Sequence, residues 1–289
     1  MINRLPNWFL QEIPQHAALE RMRFVSEYNL NTVCQKARCP NLGWCFKNNT
    51  LTFLILGDIC TRSCRFCAIS KSRGKVLALD KEEPHRIAHI VRLLGLKYVI
   101  ITSVTRDDLS DRGAGQFAKT LEAIYSLDRD IGAEILIPDF SGDVNSLKMI
   151  LDTRPSVIAH NLDTVKRIHK YLKPQASYQL SLDLLKRIKK YKKDIITKSS
   201  LMLGLGETDE DLKETMQDLR YSGCDILTLG QYLPPSQNHY PIREFISIDR
   251  FKSYEQMGYS LGFKAVLSGP LVRSSYKAEE VYNRIKTYA

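Results

Sequence analysis

Six short runs rich in apolar and β-branched residues recur along the chain: LTFLILGD (51–58), YVIITSV (98–104), AEILIP (133–138), SVIAHN (156–161), SSLMLGLGE (199–207) and DILTLGQYL (225–233). Amphipathic stretches lie between them, among them EEPHRIAHIVRLLGL and GAGQFAKTLEAIYSL, the first ending on Gly95, which suits a helix C-cap. Parallel strands need crossover connections, so strand–helix alternation predicts an α/β fold with a parallel sheet. Periodicity leaves open whether that sheet curls into an open barrel or stays flat. In either form, ligands gather at the C-terminal ends of the strands. Polar residues stand there: Asp58 and Cys60, then Thr102, Ser103 and Asp107, Asp139, His160 and Asn161, Glu207, and finally Gln231 and Tyr232. At 289 residues, one α/β domain with appended ends is the economical reading. The segments before residue 50 and after about 240 are expected to pack on the ends or mouth of that domain.

Composition narrows the function classes. Hydrophobic residues are 44% and charged residues 26% of the chain, as in ordinary globular proteins. No apolar run approaches the ~20 residues a membrane span requires. The opening MINRLPNWFLQEIP has neither an apolar signal core nor transit-peptide character, so a cytoplasmic location is expected, without membrane association. The net charge of +10 is concentrated between Thr164 and Lys198, where eleven Lys or Arg face only Asp183 and Asp194. Leu184, Leu185, Ile188 and Tyr191 repeat there at helical spacing, so the lysines are expected on a solvated outer face. The same face is one candidate dock for an acidic partner, and nucleic acid is not expected.

Of seven cysteines, six lie between residues 34 and 67, a pattern of soft metal ligands rather than a disulfide framework. Cys60, Cys64 and Cys67 follow C-x3-C-x2-C on the loop leaving the first strand. A structural zinc site would want four closing ligands, whereas three thiolates on a cubane iron–sulfur cluster keep one iron free to ligate a small molecule. Phe66 could shield such a cluster and cover an adenine ring. Cys34, Cys39 and Cys45 (C-x4-C-x5-C) form a weaker pattern alone, but neither triplet has a fourth cysteine nearby, which favours two separate clusters. Cys224, at a helix-to-strand junction, reads as a core residue.

C-x3-C-x2-C with an aromatic before its last cysteine, opening a β/α repeat, resembles the radical S-adenosylmethionine (SAM) superfamily. CPNLGWCF, LTFLILGDICTRSCRFC, TSVTRDDLSDRGAGQFA, AEILIPDF, HNLDTV, LMLGLGET, LTLGQYLPPS and SGPLVRSSY, spread over residues 30–278, together resemble the lipoyl synthase family within it. The resemblance implies a partial (β/α)6 TIM-like barrel over residues 51–240. Extensions at 1–50, with the auxiliary-cluster cysteines, and 241–289, with the RSSY motif, would bind and cover an auxiliary cluster. It implies that Cys60, Cys64 and Cys67 hold a SAM-cleaving [4Fe-4S] cluster. Cys34, Cys39 and Cys45 would hold an auxiliary [4Fe-4S] cluster, with Ser275 as its fourth ligand and Ser274 as the fallback. Arg273 would secure this segment or help place the substrate, and Thr102, Ser103, Asn161 and Glu207 would contact SAM.

The implied reaction is radical insertion of two sulfur atoms, drawn from the auxiliary cluster, at C6 and C8 of an octanoyl-lysine. The implied partners are octanoylated lipoyl carrier domains, either the E2 subunits of 2-oxoacid dehydrogenases or the glycine-cleavage H protein. An electron donor such as ferredoxin or flavodoxin and an iron–sulfur carrier for cluster rebuilding complete the set. Trp44, Phe46, Thr105, Arg112 and Ala159 depart from the family's usual residues without removing a cluster ligand, so substrate preference or a divergent paralogue role stays open. The rival readings are a tRNA methylthiotransferase-like enzyme and a zinc-bearing binding module.

Overall fold

A computed structural model describes residues 5–10, 16–48, 50–72, 74 and 78–287. The six expected runs become β2 (Thr52–Ile55), β5 (Tyr98–Ser103), β6 (Gly132–Leu136), β7 (Val157–Ala159), β8 (Ile196–Leu203) and β9 (Ile226–Gln231). Short additions are β1 (Asn31–Thr32) and a two-stranded ribbon of β3 (Ile59–Cys60) and β4 (Ser70–Lys71); β10 (Ala265–Gly269) closes the series. The main sheet runs β1-β2-β5-β6-β7-β8-β9-β10, with β1 antiparallel to β2 and every other neighbouring pair parallel. The region after residue 240 therefore does more than cover the mouth: its helix Ile248–Ser260 and strand β10 extend the β/α alternation by one unit. Gly95 takes φ +60° beyond the helix Glu83–Leu93, as its place in the pattern requires.

Alternate residues of each strand meet different surroundings. Val99, Ile101, Ala133, Ile135, Ile158, Leu201, Leu203, Leu227, Leu229 and Val266 join the main core with residues of the helices outside the sheet, such as Phe117, Leu121, Leu185 and Met216. On the other face, Tyr98 and Ile100 of β5 pack with Ala278 and Tyr282, while Ile226 and Ala265 pack with Val281 and Ile285. All four partners belong to the helix Ala278–Thr287. One helix that touches β5 and also β9 and β10, far apart in strand order, requires the sheet to curl around it. The architecture is thus an open, TIM-like barrel whose lumen is plugged by this helix. No helix among the described residues is long and apolar enough to cross a membrane.

The lumen also holds charge. Lys198 Nζ of β8 lies 2.7 Å from Glu134 Oε1 of β6, the two being 1% and 2% exposed, and the Tyr98 hydroxyl donates to Glu134 Oε2 at 3.3 Å. Lys198 belongs to the basic stretch that was expected on an outer face. Lys189 turns inward to Asp225, and Lys173 pairs with Asp163 at 2.8 Å. Lys166 pairs with Glu214 and Arg167 with Asp211, Arg187 and Lys192 donate to the Gly142 and Leu151 carbonyls, and Lys186 sits over the Tyr221 ring. Eight of the eleven cations are thus committed within the chain, and those nearest the sheet neutralise carboxylates that burial would otherwise leave uncompensated. Leu184, Leu185 and Ile188 are buried as the helical spacing predicts, and Cys224 is fully buried in the core.

Removing one member of the Lys198–Glu134 pair strands a buried charge, which typically costs about 3–5 kcal/mol, whereas replacing both with apolar residues is near neutral. Urea denaturation should therefore show a large loss for Lys198→Met. Most of that loss should be recovered in Lys198→Met/Glu134→Leu.

Candidate iron–sulfur and cofactor site

The loop from Cys60 to Cys67 is fastened at nearly every residue. At its base, β3 and β4 pair and the Ser72 amide donates to the Cys60 carbonyl at 2.7 Å. The Thr61 amide and hydroxyl both donate to the Thr105 carbonyl at 3.0 Å, and the Thr105 amide reaches Cys60 Sγ at 3.3 Å. Arg62 makes a double fork. Its Nε and Nη2 reach Asp107 at 2.8 and 2.9 Å, and its Nη1 and Nη2 reach Asp139 at 2.7 and 2.6 Å. Ser63 bonds Gln175 through amide and hydroxyl, the Arg65 amide donates to the Leu172 carbonyl, and the Tyr240 amide returns to the Arg65 carbonyl. The spacing reveals the three cysteines, but the mooring of the residues between them becomes visible only when Asp107 and Asp139, at the ends of β5 and β6, converge.

The second triplet occupies two short helices, Val33–Lys36 and Leu42–Lys47, and the turn joining them. Thr32 caps the first helix by accepting from the Gln35 amide, as N-cap threonines do. The Cys39 amide donates to Cys34, Leu42 to Cys39, and Cys45 to Asn41, which folds the turn onto itself. Arg21 caps the second helix by donating to the Phe46 and Lys47 carbonyls at 2.6 and 2.8 Å. Lys36 pairs with Asp58 at 2.5 Å and joins this region to the end of β2.

All seven cysteines are free thiols. Burial pushes Cys34 and Cys67 up to about 11 and Cys64 up to about 12, and it raises Cys45 further. For Cys45 the next cause is the neighbouring thiols Cys34 and Cys39, whereas for Cys64 the Lys173 ammonium opposes the rise and Asp163, then Cys67 and Cys60, add to it. Each triplet is thus a set of mutually interacting, desolvated donors that a cation would ionise. Among the described residues, no three His, Cys, Asp or Glu side chains converge tightly enough to chelate a single ion. The chemistry of the donor set, three thiols in each triplet, is that of soft ligands suited to iron and sulfide.

Around the barrel mouth, the expected cofactor contacts are set by the strand ends. Thr102 Oγ1 donates to the Leu136 carbonyl, whereas Ser103 Oγ is buried without a partner among the described residues. His160, beyond β7, directs Nδ1 to the Ile137 carbonyl at 2.9 Å. Burial draws its pKa down to about 4, so the ring is neutral, and its buried Nε2 has no partner among the described residues. Orphaned buried polar atoms of this kind need a ligand or water to satisfy them. Asn161 Oδ1 accepts from the Ser274 hydroxyl at 3.0 Å, while Lys173 Nζ holds the Asn161 carbonyl at 3.1 Å. Glu207 lies where Thr208 caps the helix Asp209–Tyr221, and its two oxygens accept from the Gly204 and Leu205 amides at 2.6 and 2.9 Å. Its carboxylate therefore braces its own turn, and burial raises its pKa. Phe66 packs with Leu172, Leu205 and Tyr232.

The RSSY segment arrives over this mouth. Val272 and Arg273 cross against Gly230, where a Cβ would collide with the Val272 carbonyl oxygen, so glycine is required there. Arg273 Nη1 donates to the Val272 carbonyl at 2.7 Å, and the guanidinium lies within electrostatic reach of Cys39. Ser274 is engaged by Asn161, which leaves Ser275 as the serine with an uncommitted hydroxyl among the described residues. The sequence motif did not distinguish the two.

Arg62 is 8% exposed and Asp139 3%. Burial opposes ionisation of Asp139 and Asp107, but the Arg62 guanidinium outweighs it and holds both carboxyls below their usual range. Depressed carboxyl values stabilise the fold above about pH 4 and lose that contribution as pH falls through the lower native values. Arg62→Gln should cost about 3–5 kcal/mol at pH 7.5, with the gap to wild type narrowing as pH is lowered toward 4 and the stranded Asp139 protonates. Urea midpoints across that range check it.

A family model for the radical SAM superfamily matches residues 54–219. The lipoyl synthase of Caldanaerobacter subterraneus subsp. tengcongensis is 48% identical over 96% of this chain and 97% of its own length. That of Thermus thermophilus is 49% identical over 96% and 86%. Among solved structures, methylornithine synthase (PylB) shares the fold with a TM-score of 0.56 at 12% identity, covering 82% of this chain and 81% of that one. Near-full-length identity of this size, on a barrel that carries the cysteine loop at its mouth, shows that the chain belongs to the lipoyl synthase family of the radical SAM superfamily.

Proposed function

We propose that this protein inserts two sulfur atoms at C6 and C8 of an octanoyl chain carried on a lysine of a lipoyl domain, using two [4Fe-4S] clusters and SAM. The observation that carries the reading is the pair of cysteine triplets, one on the loop leaving β2 and one in the N-terminal helical turn, with Ser275 of the RSSY segment carrying a hydroxyl that is uncommitted among the described residues. Cys60, Cys64 and Cys67 hold one cluster with an open iron; Cys34, Cys39, Cys45 and Ser275 hold the other. Bound there, the first cluster and SAM supply the one-electron cleavage that yields a hydrogen-abstracting radical, and the second is the sulfur substrate.

The chain's own residues give this chemistry its geometry. Arg62, with Asp107 and Asp139, keeps the first cysteine loop from shifting relative to the strand ends. Thr102, Ser103 and Asn161, at the ends of β5 and β7, line the place of SAM, with the Ser103 hydroxyl and the Asn161 amide nitrogen as its polar contacts. Glu207 serves by shaping the Gly204–Leu205 turn. Phe66, among Leu172, Leu205 and Tyr232, shields the cluster and excludes water. Arg273, beside Cys39, offers positive charge to the second cluster and its substrate. An alkoxide from Ser275 is a weaker ligand for iron than a thiolate, which suits a cluster that must be dismantled. The carriers are the E2 subunits or the glycine-cleavage H protein, with ferredoxin or flavodoxin as reductant and an iron–sulfur carrier for rebuilding, in a cytoplasmic setting. The internal commitment of the basic stretch weighs against a tRNA substrate.

Anaerobic reconstitution should yield about eight iron and eight sulfide per chain, the sum of two four-iron clusters. With dithionite, SAM and an octanoyl-lysyl peptide, mass spectrometry should show 5′-deoxyadenosine and a doubly sulfurated peptide. Cys39→Ala should retain about four iron and 5′-deoxyadenosine formation but lose sulfur insertion. Bound zinc without labile sulfide, or sulfur insertion by Cys39→Ala, would overturn the assignment.

A further inference from the structure

The segment that carries Ser275 is pinned to the N-terminal cysteine turn at two points. Asn41, buried at the start of the helix Leu42–Lys47, donates Nδ2 to the Leu271 carbonyl at 2.6 Å. Beyond Ser275, the Tyr276 ring lies 5.7 Å from that of Trp44, the planes tilted by 35°. Trp44 directly precedes Cys45, and Tyr276 directly follows Ser275. One ring contact therefore joins the immediate sequence neighbours of two donors that are 230 positions apart. Trp44 is 38% exposed, so its ring is not a core residue held from all sides. The neighbours of Ser275 in the motif have partners elsewhere, since Ser274 is turned to Asn161 and Arg273 is anchored on the Val272 carbonyl.

We propose that the Trp44–Tyr276 ring pair is a positioning clasp that holds Ser275 over the turn formed by Cys34, Cys39 and Cys45, and so sets how firmly the fourth donor closes that site. This rests on the reading that the turn binds a [4Fe-4S] cluster. The clasp touches no reacting atom and acts only through Ser275. Offset aromatic contacts of this kind are modest, which makes the closure tight enough to protect the cluster yet reversible.

The test uses full-length protein carrying Cys60→Ala, Cys64→Ala and Cys67→Ala, so that only the second cluster remains. After anaerobic reconstitution, iron release to an excess of bathophenanthroline is followed by absorbance. Trp44→Ala should speed release by about three- to tenfold, and Trp44→Phe, which keeps a ring against Tyr276, should stay within about twofold of the parent. Ser275→Ala should also speed release. Because the clasp acts through that serine, Trp44→Ala/Ser275→Ala should be no faster than Ser275→Ala alone. A parental rate in Trp44→Ala, or effects that multiply fully in the double variant, would overturn the clasp while leaving the cluster reading intact. A parent that binds no iron after reconstitution would overturn the cluster reading and the clasp with it.

Discussion

Arg62 is the hinge-pin of the mouth. A guanidinium that forks to carboxylates on two neighbouring strand ends converts a mobile-length loop into a rigid attachment. The planar, multi-donor geometry is what allows this, since a lysine ammonium could not make a two-point fork to each carboxylate. Each oxygen pair of Asp107 and Asp139 is taken up, which makes burial of the Arg62 and Asp139 charges tolerable. With the loop fixed to β5 and β6, the positions of the cysteines relative to Ser103, His160 and Asn161 follow from the sheet itself.

The inside of the barrel is organised by a second constraint. An open parallel sheet presents an apolar inner face that must be covered, and the helix Ala278–Thr287 covers it from within. Because RSSY immediately precedes this helix, docking of the plug also draws Arg273 to Tyr276 across the mouth. Gly230 gives that crossing its clearance. The same terminal region thereby completes the core below and the site above.

The repeating alternation made the parallel barrel legible, and the cysteine spacing made both donor sets legible, because each depends on neighbours in sequence. β10 escaped notice because Ala265–Gly269 mixes small and polar residues and ends on a Gly-Pro turn, so it does not read as an apolar run. The direction of the basic stretch was not legible either: helical spacing shows which side of a helix is apolar, but not that Glu134, Asp163 and Asp225 wait on the barrel side for Lys198, Lys173 and Lys189. Arg62 was in plain view between two cysteines, yet its partners lie 45 and 77 residues away. Glu207, expected to face a cofactor, also braces its own turn by accepting from the Gly204 and Leu205 amides, a local role that the motif did not reveal.

The joining of Asn41 and Trp44 to Leu271 and Tyr276 also imposes an order in time. At translation speeds of about 5–20 residues per second, the N-terminal thiols emerge roughly 10–50 s before Leu271 and Tyr276, the residues that dock beside their turn. During that interval the turn that carries Cys34, Cys39 and Cys45 lacks its contacts with Leu271 and Tyr276, and it gains them only when the far end of the chain arrives.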